Sequence, residues 1–545
     1  MNCQTCQKEF NITKREQGFL DRFKVPDPTD CPDCRNMKRL AFWNYGDFFS
    51  RKCDLTGETI ISTIPEDARF PVYRRDAWFG DAWEAPEQEI DRDRPFIDQL
   101  LELQDKTPHF HMLGDEKNVN CDFCDDVYAC KDCYYSRSMV EDENCHYSYR
   151  FLYCKDSIDV TYCYNCDRCY DLTFCFKNYN IFHSLNTRDS VDGKFLYDCR
   201  GCKNCFMCWN LRNKEYCVRN QEFSEDEYKK IISQEKINTF FGIEKLKEEL
   251  KKHLQKDAIH RAFYQEKCED SIGSYLTGCK SCHNNFFNEN SENCLNVFRS
   301  AENKDCCDLN GLYKGELCYE IIQSTECYAC KFCTNCLLTQ NCDCCDMCHD
   351  CKDCFGCVGL RKKQYCILNK QYDEKEYFEL KDKLIEKMKG EGDYGKFWPL
   401  RSTYVGYNNS FANIYHPKIK EEVEAIGGFW DEPKEVKDMG VDSNTLPDSA
   451  QEIDDSFIGK VVKCEKTSKP FKLVKQEIDF YKENNLPIPH VHPDRRNMDR
   501  FSQIMNIKPQ PFKCPQCGTD SVHYYQPELG YEKILCPDCY KKEIY

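Results

Sequence analysis

Four Cys-x2-Cys pairs stand near the two ends of this chain. Cys3 and Cys6 are followed, after 24 intervening residues, by Cys31 and Cys34, and Cys514 and Cys517, after 18 intervening residues, by Cys536 and Cys539. A tight turn presents both thiolates of such a pair to one side, and two pairs complete a tetrahedral Zn²⁺ shell. Four cysteines close the shell, whereas catalytic zinc keeps one position open for water. The spacing therefore predicts two structural Zn²⁺ ions, held by Cys3, Cys6, Cys31, Cys34 and by Cys514, Cys517, Cys536, Cys539, with no catalytic or other cofactor-binding residue.

The segments carrying these pairs are divergent copies of each other. Moving 461 positions superposes Cys3, Phe10, Glu16, Phe19, Arg35, Asn36 and Arg39 on Cys464, Phe471, Glu477, Phe480, Arg496, Asn497 and Arg500, and Cys53 and Gly57 on Cys514 and Gly518. Each copy keeps one complete set of four cysteines and has a degenerate second set. The second reads Cys464, Thr467, His492, Arg495 where the first has its four cysteines, and the first has Thr56 where the second has Cys517. Cys3-x2-Cys6, Lys8-Glu9-Phe10, Glu16-Gln17, Phe19, Pro28 and Cys31-Pro32-Asp33-Cys34-Arg35 resemble the probable zinc-ribbon domain family over roughly residues 1–40. The resemblance implies a zinc fold and little else. The longer layout is similar to uncharacterised bacterial cysteine-rich zinc-binding proteins.

Between the ends the cysteines follow another rule. All fifteen in residues 121–217 occupy one phase of a three-residue period, and so do sixteen of the eighteen in 279–366, Cys307 and Cys344 being the exceptions. Cys282, Cys294, Cys306, Cys318, Cys330, Cys342, Cys354 and Cys366 form a column at a twelve-residue step. Neither the period of a strand nor that of a helix fits, and a fixed repeat stacking like residues is a mark of solenoids. With every third side chain inward, a twelve-residue coil is too thin for Leu or Phe throughout, which favours Cys, Ser, Gly and Thr. Asn and Asp often precede the inward cysteine, as at Asn120, Asp132, Asn144, Asn293 and Asp353, and both suit left-handed corners. The pattern resembles the twelve-residue cysteine-rich coils of insect antifreeze β-helices. Their outward Thr ladder is missing, so ice binding is not implied.

The two arrays are duplicates 149 positions apart: Glu143-Asn144-Cys145 matches Glu292-Asn293-Cys294, and Tyr216-Cys217 matches Tyr365-Cys366. Each ends in a capping-box signal, Ser224 with Glu227 and Asp373 with Glu376. The first helix should run toward Gln255 with a break near Gly242, and the second should stop at Gly390. The expected fold is thus mainly β with α: two cysteine-cored β-solenoids of about 12 residues per coil, each followed by a helix, flanked by zinc-ribbon-like terminal modules. The expected domains are a ribbon module at 1–53, a connecting segment with a degenerate second ribbon at 54–118, solenoids at 119–223 and 268–372, a helical segment at 224–267, a helix at 373–390, a linker at 391–460, and the second ribbon copy at 461–545.

The array thiols read first as small apolar fillers of a narrow core. Disulfides would fit an exported protein, and Cys199–Cys208 and Cys348–Cys357 have part of the spacing of ferredoxin clusters. No phosphate-binding loop, dinucleotide fingerprint, nucleophile elbow or H-E-x-x-H appears. His183, His283 and His349 lie near cysteines and could in principle activate a thiol. A formal charge of −17 excludes general coating of nucleic acid, although both termini carry a small basic surplus. No apolar run suits a membrane span, and the start lacks the pattern of a secretory signal, so a cytoplasmic protein is expected. The leading expectation is a non-enzymatic zinc-binding scaffold that recognises a protein partner, its contact stripe formed by outward Tyr319, Lys331, Phe355 and Ile367. Alternatives are a ribosome- or RNA-associated factor acting through the terminal ribbons, and an iron–sulfur or thiol redox protein. No small-molecule substrate or membrane partner is evident.

Overall fold

A computed structural model describes residues 1–432, 440–504 and 506–545. Residues 433–439 of the expected linker and residue 505 of the second ribbon copy lie outside the described residues. Among the described residues the architecture is mixed and mainly sheet, with twelve α-helices and no closed barrel. The chain divides into two compact units, Met1–Met112 with Tyr264–Glu432 and Leu113–Phe263 with Pro433–Tyr545. The first terminal module therefore packs with the second cysteine array, and the second module with the first array. Nothing in the order of the sequence announces that exchange.

In unit 2, strands from Asp122–Tyr128 to Cys217–Val218 lie side by side in chain order in a ten-stranded sheet, all parallel until a short antiparallel return at Gln221–Glu222 covers the last edge. Partners sit twelve residues apart: Arg137 faces Tyr149, Tyr149 faces Thr161, and Phe182 faces Lys194. In unit 1 the same step pairs Cys294 with Cys306, Cys307 with Tyr319 and Cys354 with Cys366. Its register slips once, between Ile272 and Gly273, so Ile272 faces His283 eleven residues on. Gly273 lies where the bulge brings backbone close, since a Cβ there would meet the Asn285 carbonyl at 1.9 Å. The slip explains why Cys268 stands outside the phase of the later cysteines yet packs against the same core.

The three-residue phase has a backbone cause. Every third residue from Asn120 to Arg219, and from Tyr275 to Leu368, has positive φ. The corner residues named from sequence all belong to this series, but so do Phe123, Arg150, Tyr162, Phe174 and Phe332. Left-handed backbone costs an ordinary residue about 1 kcal/mol, and stacked bonds offset it here. The corner N–H donates one coil back, as Asp132 does to Val119 O at 2.8 Å, and the next outward N–H donates one coil on, as Lys131 does to Asp142 O at 2.9 Å. Corner side chains stack as well: Asn144 Nδ2 donates to Asp156 Oδ1 at 2.7 Å and Asn341 Nδ2 to Asp353 Oδ1 at 3.1 Å.

The inward N–H is bonded in many coils by an inward side chain of the previous coil. Cys169 N donates to Ser157 Oγ at 3.1 Å, Cys166 N to Cys154 Sγ at 3.4 Å, and Ser190 N to Asn178 Oδ1 at 3.0 Å. Inward thiols donate in turn to the carbonyl two residues before, as Cys145 does to Glu143 O at 3.3 Å. Small polar side chains are thus favoured inside because they accept a backbone hydrogen bond, not only because the coil is thin. Phe151, Leu172, Leu309 and Ile321 fill wider places and are fully buried.

The helices differ from expectation in their ends. Ser224 caps helix Glu225–Ile232 in a capping box, and the break then falls at 233–239. Gly242 lies in the first turn of the next helix, Phe240–Lys256, which Thr239 restarts by accepting from the Gly242 N–H. Helix Glu374–Glu391 runs past Gly390 and stops at Gly392, whose φ of 74° ends it in a left-handed cap. Of the stretch expected as a linker, 391–432 packs within unit 1, where Trp398, Tyr404, Tyr407 and Phe411 are buried, and 440–460 belongs to unit 2, where Leu446 and Ile453 are buried. Trp78, Trp83, Phe96 and Phe110 are buried anchors, as their types suggest.

Candidate metal centres and the surfaces that hold them

Each module builds its four-cysteine cluster from a turn and a helix N-terminus. In the first, Cys3 N donates to Lys8 O and Gln7 N to Cys3 O, both at 2.9 Å, closing a turn around Cys3 and Cys6. Cys31 caps helix Pro32–Leu40, with Pro32 at the first helical position where its missing N–H costs nothing. The second module repeats this at Cys514 and Gly518, whose φ is 73°, and at Cys536, which caps helix Pro537–Ile544. In each set the four Sγ atoms lie within 4.8 Å of one another, so each could hold a metal ion. The Cys6 and Cys31 sulfurs are 3.8 Å apart and those of Cys517 and Cys536 3.7 Å.

Sulfurs this close cannot all ionise unless a cation joins them. The Cys34 thiol donates to Cys31 and, against burial, brings the Cys31 thiol down to about 5, while the same bond pushes Cys34 up. In the second set burial raises Cys514, but the N–H groups of Cys536 and Cys517 outweigh it and bring that thiol down to about 6. Among the described residues no other group brings three or more such ligand atoms together. The runs Cys199–Cys208 and Cys348–Cys357 lie strung along their coils instead.

The two halves that lost ligands keep their folds by packing. Strands Phe49–Lys52 and Thr59–Ser62 pair as their counterparts Gln510–Lys513 and Asp520–His523 do. Where the second module has Cys536 and Cys539, the first has Arg74, which caps helix Arg75–Phe79, and Ala77, and the next residue is fully buried Trp78, whose Nε1 donates to Pro108 O at 2.7 Å. Cys53 Sγ is left accepting the Arg74 N–H at 3.2 Å, and Cys464 Sγ accepts that of His492 at the same distance.

The residues that sequence reasoning missed join module to array. In unit 1, Arg35 donates to Glu16 Oε1 at 2.6 Å and lies 2.9 Å from Asp308. Arg39, with no exposed surface, pairs with Glu320 and with Asp308 at 3.3 Å, and its Nε donates to Asn310 Oδ1 at 2.6 Å. Unit 2 repeats the set at its own offsets. Arg496 pairs with Asp159 at 2.8 Å, Arg500 with Asp159 at 3.1 Å, and Arg500 Nε donates to Thr161 Oγ1 at 2.9 Å. Asp159, Thr161 and Asp171 stand 149 positions before Asp308, Asn310 and Glu320. Burial pushes Glu16 and Glu320 up and raises Glu477 to about 7. Around these charges Ile478, Tyr481 and Ile488 pack on Tyr147, Ile158 and Tyr170.

The outward stripe expected to meet a partner is already covered. Tyr319, Phe355 and Ile367 are fully buried; Tyr319 stacks on Phe23 at 5.5 Å and Phe355 packs on Phe96 at 5.0 Å. Lys331 is bound to Asp343 at 3.2 Å. Phe471 and Phe480 likewise pack toward array 1 of their own unit. The cysteine-adjacent histidines find other neighbours: His183 Nδ1 meets Asp171 at 2.9 Å, His283 Nε2 meets Asp270 O at 3.0 Å, and His349 packs between Trp78 and Phe79. Among the described residues no helix is long and apolar enough to cross a membrane. Compared with known proteins, the chain matches no protein-family model and no curated protein.

Proposed function

We propose that the chain is a non-enzymatic zinc-binding scaffold: two β-solenoids, each clasped by a zinc-ribbon-like module, with free faces that dock another protein. The observation that carries this reading is the repeated clasp. Two divergent modules grip two divergent arrays through the same arginine pair and the same rungs, as expected where a rigid module-on-rod unit is what is retained. Zinc is favoured at both centres because tetrahedral bonds of about 2.3 Å hold sulfurs about 3.8 Å apart, which matches the closest sulfur pairs. Closed four-thiolate shells stabilise small folds and leave no position for substrate.

The docking surface must lie on faces the modules leave open. In array 2 these carry Tyr313, Tyr328 and Leu338, exposed by 39%, 45% and 47%, a mixture suited to a protein partner. Cross-linking mass spectrometry in cells should recover partners that contact this face and lose them in a Tyr313→Asp, Tyr328→Asp, Leu338→Asp variant with unchanged metal content. Partners that persist in the variant, or that vanish on nuclease treatment, would replace this reading with the RNA-associated one.

A further inference from the structure

Unit 2 contains a cavity of ≈ 490 Å³ apart from its metal centre. The sequence suggested no pocket because the coil interiors are filled, but this space lies outside the coil. Its walls come from the outward side of array 1, from helix Phe240–Lys256, from residues 487–491 and from 526–531. Its floor is the clasp itself, Asp159, Asp171, Arg496 and Arg500.

Comparison with the sister clasp shows what has changed here. In unit 1 two guanidinium groups, Arg35 and Arg39, face three carboxylates, Glu16, Asp308 and Glu320. In unit 2 the corresponding two arginines and three carboxylates are joined by Lys247, 3.1 Å from Asp171, and by the His183 imidazole. The unit 1 counterpart of His183 is Phe332, buried against the rings of Tyr319 and Tyr394 at 5.5 and 5.9 Å. Unit 2 has thus gained a cation and an imidazole beside an open space, where unit 1 has an aromatic filling. Lys247 keeps 40% of its side chain exposed, and its ammonium lies between Asp171 and Glu244, 3.6 Å from the latter. The other walls are mixed: Phe240, Ile243, Leu250, Leu254, Ile488 and Tyr531 supply an apolar strip, and Glu244, Glu248, Lys251, Lys466, Asp499 and Glu528 supply charges of both signs.

We propose that this cavity binds a small amphipathic carboxylate, its head against Lys247 and its apolar body along helix Phe240–Lys256. The volume falls within the range of small-molecule sites, which are mostly apolar with a few placed polar groups. The added cation favours an anionic head over a neutral one.

Calorimetry on the full, metal-loaded chain with octanoate and octanamide tests this. Octanoate should bind saturably, and octanamide at least about tenfold more weakly, as expected for one charge-assisted contact. Leu250→Trp should abolish binding of both, and Lys247→Gln should reduce octanoate to the octanamide level. Equal affinity of the two probes, octanoate binding unaffected by Leu250→Trp, or no saturable binding of octanoate or 3-phenylpropanoate would each overturn the proposal. The probe comparison on the unaltered protein stands even if a variant misfolds.

Discussion

Replacing Arg39 by Met asks how far charge locks the first module to its array. Arg39 is fully buried, pairs with Glu320 and Asp308, and donates to Asn310 at 2.6 Å. Removing one member of a buried pair costs about 3–5 kcal/mol because the partner is left uncompensated. Arg35 still reaches Asp308 at 2.9 Å and Glu320 at 3.6 Å, and Glu320, already pushed up by burial, can take a proton instead. The low end, about 3 kcal/mol, is therefore expected for unit 1. Arg500→Met should cost less, about 2 kcal/mol, since Asp159 keeps Arg496 and Asp171 keeps Lys247 and His183. The double variant Arg39→Met, Glu320→Met should recover most of the loss, because an apolar pair replaces a buried ionic one at little net cost. Urea unfolding followed by hydrogen-exchange mass spectrometry reads the two units separately. A cost below about 1 kcal/mol, or a double variant no more stable than the single one, would show that packing rather than charge holds the clasp.

Native mass spectrometry should find two zinc ions per chain, and Cys517→Ser, at the one exposed ligand, should remove one ion and leave the other. Glu477 rises from its ordinary 4.5 to about 7 in the fold, so the folded state holds a proton that the unfolded chain releases. Unit 2 should therefore lose stability as pH rises across that window, by up to about 3 kcal/mol, and Glu477→Gln should flatten the dependence in urea melts at several pH values. Asn341→Val should cost about 2–3 kcal/mol by forcing a β-branched residue into left-handed backbone and removing the bond to Asp353. Asn341→Gly should cost under about 1 kcal/mol in the same melts.

Much of this was legible in the residues. The two four-cysteine clusters follow from Cys-x2-Cys spacing because a tight turn and a helix N-terminus each use that interval. The corners were visible through Asn and Asp, and a stronger signal lay unused beside them. From Asn120 to Arg219 and from Tyr275 to Leu368 the corner phase holds no Val, Ile, Thr or Pro, the residues that left-handed backbone excludes most strongly. The single eleven-residue step at Ile272 hid Cys268 from the phase, since one bulge shifts every later position. The stripe at Tyr319 is buried because an outward position on the array is not exposed once a module covers it. Which module covers which array could not be read from either duplicate alone. It depends on Asp308 and Glu320 meeting Arg35 and Arg39 across nearly 300 positions, and the near-identical set in the other unit offers the same chemistry. The cavity was invisible for a related reason: it is bounded by four segments that no local pattern connects.

The crossed pairing of modules and arrays also sets a timetable for the chain as it is made. The first module leaves the ribosome long before the rungs at Asp308 and Glu320 that neutralise its arginines. At about 5–20 residues per second that interval is on the order of 15–60 s. Array 1 waits through a similar interval with Asp159 bare, until Arg496 and Arg500 emerge. During its wait the first module has Cys3, Cys6, Cys31 and Cys34 already complete, so metal capture can hold it folded before its partner surface exists. Metal bound there early in synthesis, rather than at its end, would then favour the clasped state.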